Sequence, residues 1–168
     1  MGEPTTSQSA MKWTPSVSFS FKVVFQKMNN PSFQASFLEV SGLSWNMGRR
    51  VYCGNGGNFQ AVPTGLAYTN VVLKRPVGPL SGSLAKWVKE CHDFMFNARK
   101  NKDMKDMKAI PTYDVVIHLL DENSEPKASW QCVRAYPMKW SLGAFNSGKS
   151  ELATETFELA YAYMERIK

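Results

Sequence analysis

From Val17 to Phe25 the chain alternates: Val17, Phe19, Phe21, Val23 and Phe25 fall on one side, and Ser18, Ser20, Lys22 and Val24 on the other. A period of two built from β-branched and aromatic residues predicts a half-buried strand. After the turn chemistry of Met28-Asn29-Asn30-Pro31-Ser32, Gln34–Val40 reads as a second strand and Leu43–Tyr52 as a third, bulged at Gly48. Gly54-Asn55-Gly56-Gly57-Asn58 opens what reads as a long loop reaching Gly65, and Thr69–Arg75 resumes as a strand with Val71 and Leu73 on one face. Farther along, Thr112–Leu120 and Lys127–Arg134 flank the turn Asp121–Pro126, which predicts a hairpin with Ala128, Trp130, Cys132 and Arg134 on one face. Pro137–Leu142 reads as another strand. Glu151–Met164 ends the pattern, with Phe157, Leu159, Tyr161 and Tyr163 on one face and Thr154, Thr156, Glu158 and Ala160 on the other.

Only one segment has the helical period. Leu84, Trp87, Val88, Cys91, Phe94 or Met95, and Ala98 share a face, with Lys86, Lys89, Glu90 and Asp93 on the remainder and Ser81 or Ser83 available as N-cap. Arg99–Lys108 follows as a charged connector. Many strands, one helix, then more strands, without a βαβ rhythm, predict a mainly β fold: two packed antiparallel sheets, as a sandwich or barrel, with one flanking helix. The expected organisation is a polar tail, disordered or extended, over residues 1–16 and a single domain over residues 17–168.

Composition agrees with a self-sufficient core. The chain of 168 residues is 43% hydrophobic and 20% charged, a globular recipe. Three cysteines, Cys53, Cys91 and Cys132, are an odd number without CxxC spacing, which argues against a disulfide framework. Two histidines, His92 and His118, offer no zinc signature, and no cofactor or metal is expected. No apolar run reaches the roughly 20 residues of a membrane span, and no hydrophobic leader follows the start. Met1-Gly2-Glu3-Pro4-Thr5-Thr6 matches the short myristoylation pattern, with Glu3 and Pro4 as awkward neighbours. The net charge of +6 is modest, and Arg99, Lys100, Lys102, Lys105 and Lys108 concentrate part of it beside Asp103 and Asp106.

The chemistry-bearing candidates are weak. Gly143-Ala-Phe-Asn-Ser-Gly148-Lys149-Ser150 matches GxxxxGK[ST] literally, but a phosphate loop must open a helix, and the residues after Ser150 alternate with a strand's period. Asp121/Glu122 and Glu151/Glu155/Glu158 read as solvated turn and strand charges, with Glu155 and Glu158 on opposite faces. Cys91 and His92 diverge around the helix and form no dyad. His118 reads as a structural histidine. No enzyme is expected.

Particular strings carry a resemblance. Phe37-Leu-Glu-Val-Ser-Gly-Leu43, Thr69-Asn-Val-Val-Leu-Lys-Arg75, the helix holding Trp87, Val116-Ile-His-Leu-Leu-Asp-Glu-Asn123, Ser129-Trp130, Ala135-Tyr136-Pro137 and Glu155-Thr-Phe-Glu-Leu-Ala160 occur in order over about residues 17–164. The chain thereby resembles the inner-tube proteins of contractile phage tails and related injection systems. The resemblance implies a structural subunit that forms hexameric rings stacked into a tube around a lumen for cargo. It implies as partners other copies of the chain, a sheath protein, baseplate or spike proteins and a lumenal protein cargo, with nucleic acid only in a phage tail. It also implies synthesis in a bacterial cytoplasm and assembly in a phage tail or in an extracellular or membrane-anchored particle. Within that reading, Gly54, Asn55, Phe59 and Val62 are the expected ring-stacking contacts, in a loop mobile until assembly. Thr154, Thr156 and Glu158 are the expected lumen-facing residues. The residues alone leave open a monomeric β-sandwich module binding nucleic acid or glycan.

Overall fold

Val23 and Phe25 go where the alternation sends them, into the core of a computed structural model that describes residues 20–27, 30–53, 59–100, 109–145, 148 and 152–168. The elements are β1 (Phe21–Lys27), β2 (Asn30–Ala35), β3 (Glu39–Ser41), β4 (Trp45–Cys53), β5 (Phe59–Tyr68), β6 (Val71–Pro76), α1 (Ser83–Lys100), β7 (Tyr113–Leu120), β8 (Pro126–Leu142), β9 (Thr154–Ala160) and β10 (Tyr163–Arg166). The expected Gln34–Val40 strand is two strands: the pairing with β1 ends at Ala35, and Leu38 N–H, ahead of β3, donates to Lys74 O at 2.8 Å.

The pairing order β2-β1-β7-β8-β9-β6-β3 folds over on itself because β8 serves two layers. Its first half pairs with β7 and with β10; its second half, Tyr136–Leu142, pairs with β9. Lys127–Arg134 and Pro137–Leu142 are thus one continuous strand. The corner is a bulge: Tyr113 faces Ala135 while Val115 faces Cys132, so β8 carries an extra residue. Arg134 sits there with φ 53°, and its N–H donates to Asp114 Oδ1 at 2.8 Å. The extra residue overturns the expected face: Arg134 is exposed, and Ala135 is buried instead. The β7–β8 turn is held by Asp121, whose Oδ1 accepts from the N–H groups of Asn123 and Glu125, with Ser124 at φ 63°.

Between the layers, Val23, Phe25, Val115, Ile117 and Cys132 meet Val71, Leu73, Phe157 and Leu159. Helix α1 closes one side with Leu84, Trp87 and Cys91. Its first hydrogen bond, Lys86 N–H to Gly82 O, makes Gly82 the N-cap, between the two serines expected for that place. Trp87 is fixed from both sides: its ring packs edge-on against Phe25 and Tyr113, and its indole N–H donates to Pro111 O at 2.8 Å. Burial pushes the Cys91 and Cys132 thiols up to about 12, so both are inert core groups.

The last segment is not one strand. The chain breaks at 161–162 and crosses layers, so that β10 pairs with β8. Tyr161 still packs on the core, but Tyr163, expected beside Phe157, is 44% exposed.

Candidate assembly surfaces

Phe59–Gly65, expected as loop, is strand. It belongs to β5, which pairs with β4 in a two-stranded hairpin separate from the other strands. Every residue of the two strands except Tyr68 is exposed. Register explains how a sequence so apolar forms a hairpin with a defined face. Gly48 faces Gly65 and Arg49 faces Pro63, so Thr64 is an extra residue opposite the bulge expected at Gly48. The bulge reverses the parity of β5. Directly opposed residues of an antiparallel pair share a face. Trp45, Met47, Arg49, Val51 and Cys53 on β4 therefore share one face, apolar but for Arg49, with Phe59, Ala61, Pro63, Leu66 and Tyr68 on β5. The opposite face carries Asn46, Gly48, Arg50, Tyr52, Gln60 and Val62. Of the expected stacking residues, Phe59 is 74% exposed on the apolar face, and Val62 lies on the opposite face beside Arg50. Gly54 and Asn55 lie outside the described residues.

The hairpin is tied at its base. Thr69 Oγ1 donates to Gly42 O at 2.5 Å, Thr69 N–H donates to Ser44 O at 3.1 Å, and Tyr68 packs against Tyr161 with ring centroids 5.6 Å apart.

The second layer is a four-stranded sheet, β8-β9-β6-β3, whose outer face is polar. Glu39, Lys74, Thr156 and Ser141 lie across it in one row, and Ser41, Val72, Glu158 and Lys139 in the next. Lys139 Nζ pairs with Glu158 Oε1 at 2.8 Å. Thr154, Thr156 and Glu158 share this face, opposite buried Phe157 and Leu159.

Glu155 departs from expectation. It is 6% exposed and accepts from Arg75 Nε at 2.7 Å, Trp140 Nε1 at 3.0 Å and Gly78 N–H at 3.2 Å. A carboxylate can leave water only with such donors. The strand's parity places Glu155 with Phe157 and Leu159, and that was the available signal; its partners, distant in sequence, gave none.

A family model described as T4-like virus tail tube protein gp19 matches residues 17–165. The chain belongs to this tail-tube family. Tail-tube proteins are structural, and this one is a tube-forming subunit. Among solved structures, a chain of the anti-feeding prophage baseplate is similar at 26% identity and TM-score 0.76, covering 92% of this chain and 97% of that one. A chain of an extracellular contractile injection system's sheath–tube complex in the extended state shares the fold at 20% identity and TM-score 0.72, covering 98% of each. Hcp1 from Flavobacterium johnsoniae shares it more distantly, at 14% identity and TM-score 0.50, covering 89% of this chain and 95% of that one. No curated protein matches.

The remaining candidates fit a tail-tube subunit. The phosphate-loop string connects β8 to β9, so a strand follows where a helix would be required. Lys149 and Ser150 lie outside the described residues. Lys149→Ala is expected to leave folding and assembly unchanged, and the wild type to bind no ATP. Calorimetry showing Mg²⁺-dependent binding that the variant loses would reverse this reading. His118 Nδ1 lies 2.8 Å from Ser129 Oγ, and burial lowers its pKa, with Lys22 and Lys168 adding to the effect, as suits a structural histidine. His92 is exposed against Asp93 and stacks on Phe96. Among the described residues no three His, Cys, Asp or Glu side chains gather as a metal site, and no helix is long and apolar enough to cross a membrane.

Proposed function

We propose that the chain is the inner-tube subunit of a contractile injection system or phage tail, forming hexameric rings that stack around a lumen for cargo. The observation that carries this reading is the hairpin: an apolar face on two strands that the chain's own core leaves exposed. An exposed face of this kind is a contact site for another molecule. Stacking then seats Phe59, Val51, Met47 and Trp45 against the neighbouring ring.

Ring closure has its own support. Among the described residues β3 pairs only with β6, and Tyr136–Leu142 of β8 only with β9, so the four-stranded sheet has two free edges. Such edges invite pairing. Each successive pair in β3-β6-β9-β8 is antiparallel, so β8 runs opposite to β3. Joining β8 of one subunit to β3 of the next continues the antiparallel ladder without interruption. Repetition closes a barrel lined by Thr154, Thr156, Glu158 and their neighbours, and the opposite ends of the subunit remain for stacking. The sheath and baseplate assemblies in which the similar chains occur support sheath and baseplate partners and assembly into a tail or an extracellular or anchored particle.

The test is assembly. The purified wild type is expected to form rings and tubes in negative stain, at high concentration or on an initiating baseplate. Val51→Asp with Phe59→Asp, both on the exposed apolar face, is expected to keep the melting curve and to cut tube length at least tenfold. A wild type that light scattering finds monomeric at every concentration, with no tubes in the native particle, would point instead to a monomeric binding module.

A further inference from the structure

Strand direction does not by itself decide how the two free edges of the four-stranded sheet are used. β8 of one copy can join β3 of the next, as a ring requires. Two copies related by a two-fold axis through the sheet can instead join β3 to β3, or β8 to β8, and each of these like-edge pairs is antiparallel too. All three pairings keep the polar faces on one side, and all three form the same kind of backbone ladder. The choice falls to the side chains at the edges.

Each edge carries a single charged residue, and the two signs are opposite. On β3 (Glu39–Ser41) it is Glu39; on the Tyr136–Leu142 half of β8 it is Lys139. Both lie on the polar face and both are exposed, with 62% of the Lys139 side chain open to water. Each is backed one strand inward by the other sign. Lys74 of β6 lies opposite Glu39, and Glu158 of β9 holds Lys139 Nζ at 2.8 Å.

The signs therefore run minus then plus from β3 to β6, and minus then plus again from β9 to β8. Across a β8–β3 seam the alternation continues: Glu158, Lys139, then the next copy's Glu39 and Lys74. A β3–β3 pair breaks it by setting Glu39 against Glu39, and a β8–β8 pair by setting Lys139 against Lys139. Directly opposed side chains stand about 4.5–5.5 Å apart at Cβ and diagonal ones about 7–8 Å, within reach of long side chains; opposite charges there favour a pairing and like charges oppose it. Discrimination is the difference between the pairings, so attraction in one and repulsion in the others both count.

We propose that Glu39 and Lys139 select ring closure, drawing β8 of one copy to β3 of the next and turning the two like-edge pairings away. The proposal rests on the ring of the tube reading and adds the residues that decide between a ring and a two-fold pair. The partner is a second copy of this chain because each edge supplies the charge that the other lacks.

The test reverses charges in pairs, so that every subunit keeps its net charge and its internal plus–minus neighbours. Glu39→Lys with Lys74→Glu turns the β3 edge positive. Lys139→Glu with Glu158→Lys turns the β8 edge negative. A fourfold variant carries all four changes. All these side chains lie on the polar face, so the three variants are expected to melt as the wild type does, by circular dichroism. Each pairwise variant places like charges across every β8–β3 seam. Each is expected to need at least tenfold more protein for half-maximal ring formation by mass photometry. The fourfold variant restores opposite charges and is expected to form rings at the wild-type concentration. The deficit of the pairwise variants should shrink in 1 M salt, where the Debye length is about 3 Å. Should a pairwise variant melt early, Glu39→Gln, which removes a charge without adding repulsion, is expected to fall between it and the wild type. A pairwise variant that forms rings as readily as the wild type overturns the proposal. So does a fourfold variant that melts normally and forms no rings, or a deficit that salt leaves unchanged. A wild type that forms no rings overturns the tube reading and this selection with it, and is told apart because every variant then stays monomeric alike.

Discussion

Phe157→Ala is expected to cost the fold about 3–5 kcal/mol, while Thr156→Ala, one residue away, should cost under about 1 kcal/mol. Both lie on β9, between β6 and β8. Phe157 is 1% exposed, opposite Leu73 on one neighbour and Trp140 on the other, with the Arg75 guanidinium 5.4 Å from its ring centre. Truncation removes an aromatic side chain from the seam between layers, where the surrounding strands are held by their ladders and cannot collapse fully into the cavity. Thr156 points to the polar face, opposite Lys74 and Ser141, where water replaces whatever it loses. Urea unfolding with an unchanged denaturant dependence measures both. Equal losses at the two positions would mean that β9 does not separate a core from a polar wall, and the lumen reading of Thr154, Thr156 and Glu158 would go with it.

Alternation made most of this architecture legible. Val23, Phe25, Val71, Leu73, Phe157 and Leu159 are buried where a period of two puts them, and the helix buries Leu84, Trp87 and Cys91. What escaped the sequence lies where period and local chemistry part. Phe59, Ala61 and Pro63 have one parity and Leu66 and Tyr68 the other, so a strand with a bulge at Thr64 reads as aperiodic loop, and Gly65 and Pro63 strengthen that impression. Arg134 was put on one face with Ala128, Trp130 and Cys132 by counting in twos across a second bulge. The reading of Glu155 as solvated followed from residue type, although its neighbours in the alternation were core residues; only the fold brings Arg75 and Trp140 to it.

Gly42→Ala should be as damaging as loss of a core aromatic, through the backbone alone. Gly42 lies at φ +82°, a region that costs a residue with a Cβ about 1–2 kcal/mol. A Cβ there would also stand 2.1 Å from Asn70 O, which is main chain and cannot rotate away. Relieving that contact requires β3 and the start of β6 to move apart, with overpacking adding about 1–3 kcal/mol. The total is about 2–5 kcal/mol. The place makes the effect more than a loss of stability. Gly42 O accepts the Thr69 hydroxyl, and Ser44 O accepts the Thr69 N–H, so the chain enters and leaves the hairpin through this one knot. Hydrogen exchange in β4 and β5 should therefore accelerate more in Gly42→Ala than in Phe157→Ala at equal global stability, and tube growth should fall with it. Thr69→Val, which deletes the same hydroxyl contact without the clash, should show a weaker form of the same pattern. If Gly42→Ala unfolds no more easily than the wild type, or leaves the hairpin's exchange rates unchanged, the knot does not hold the hairpin in place.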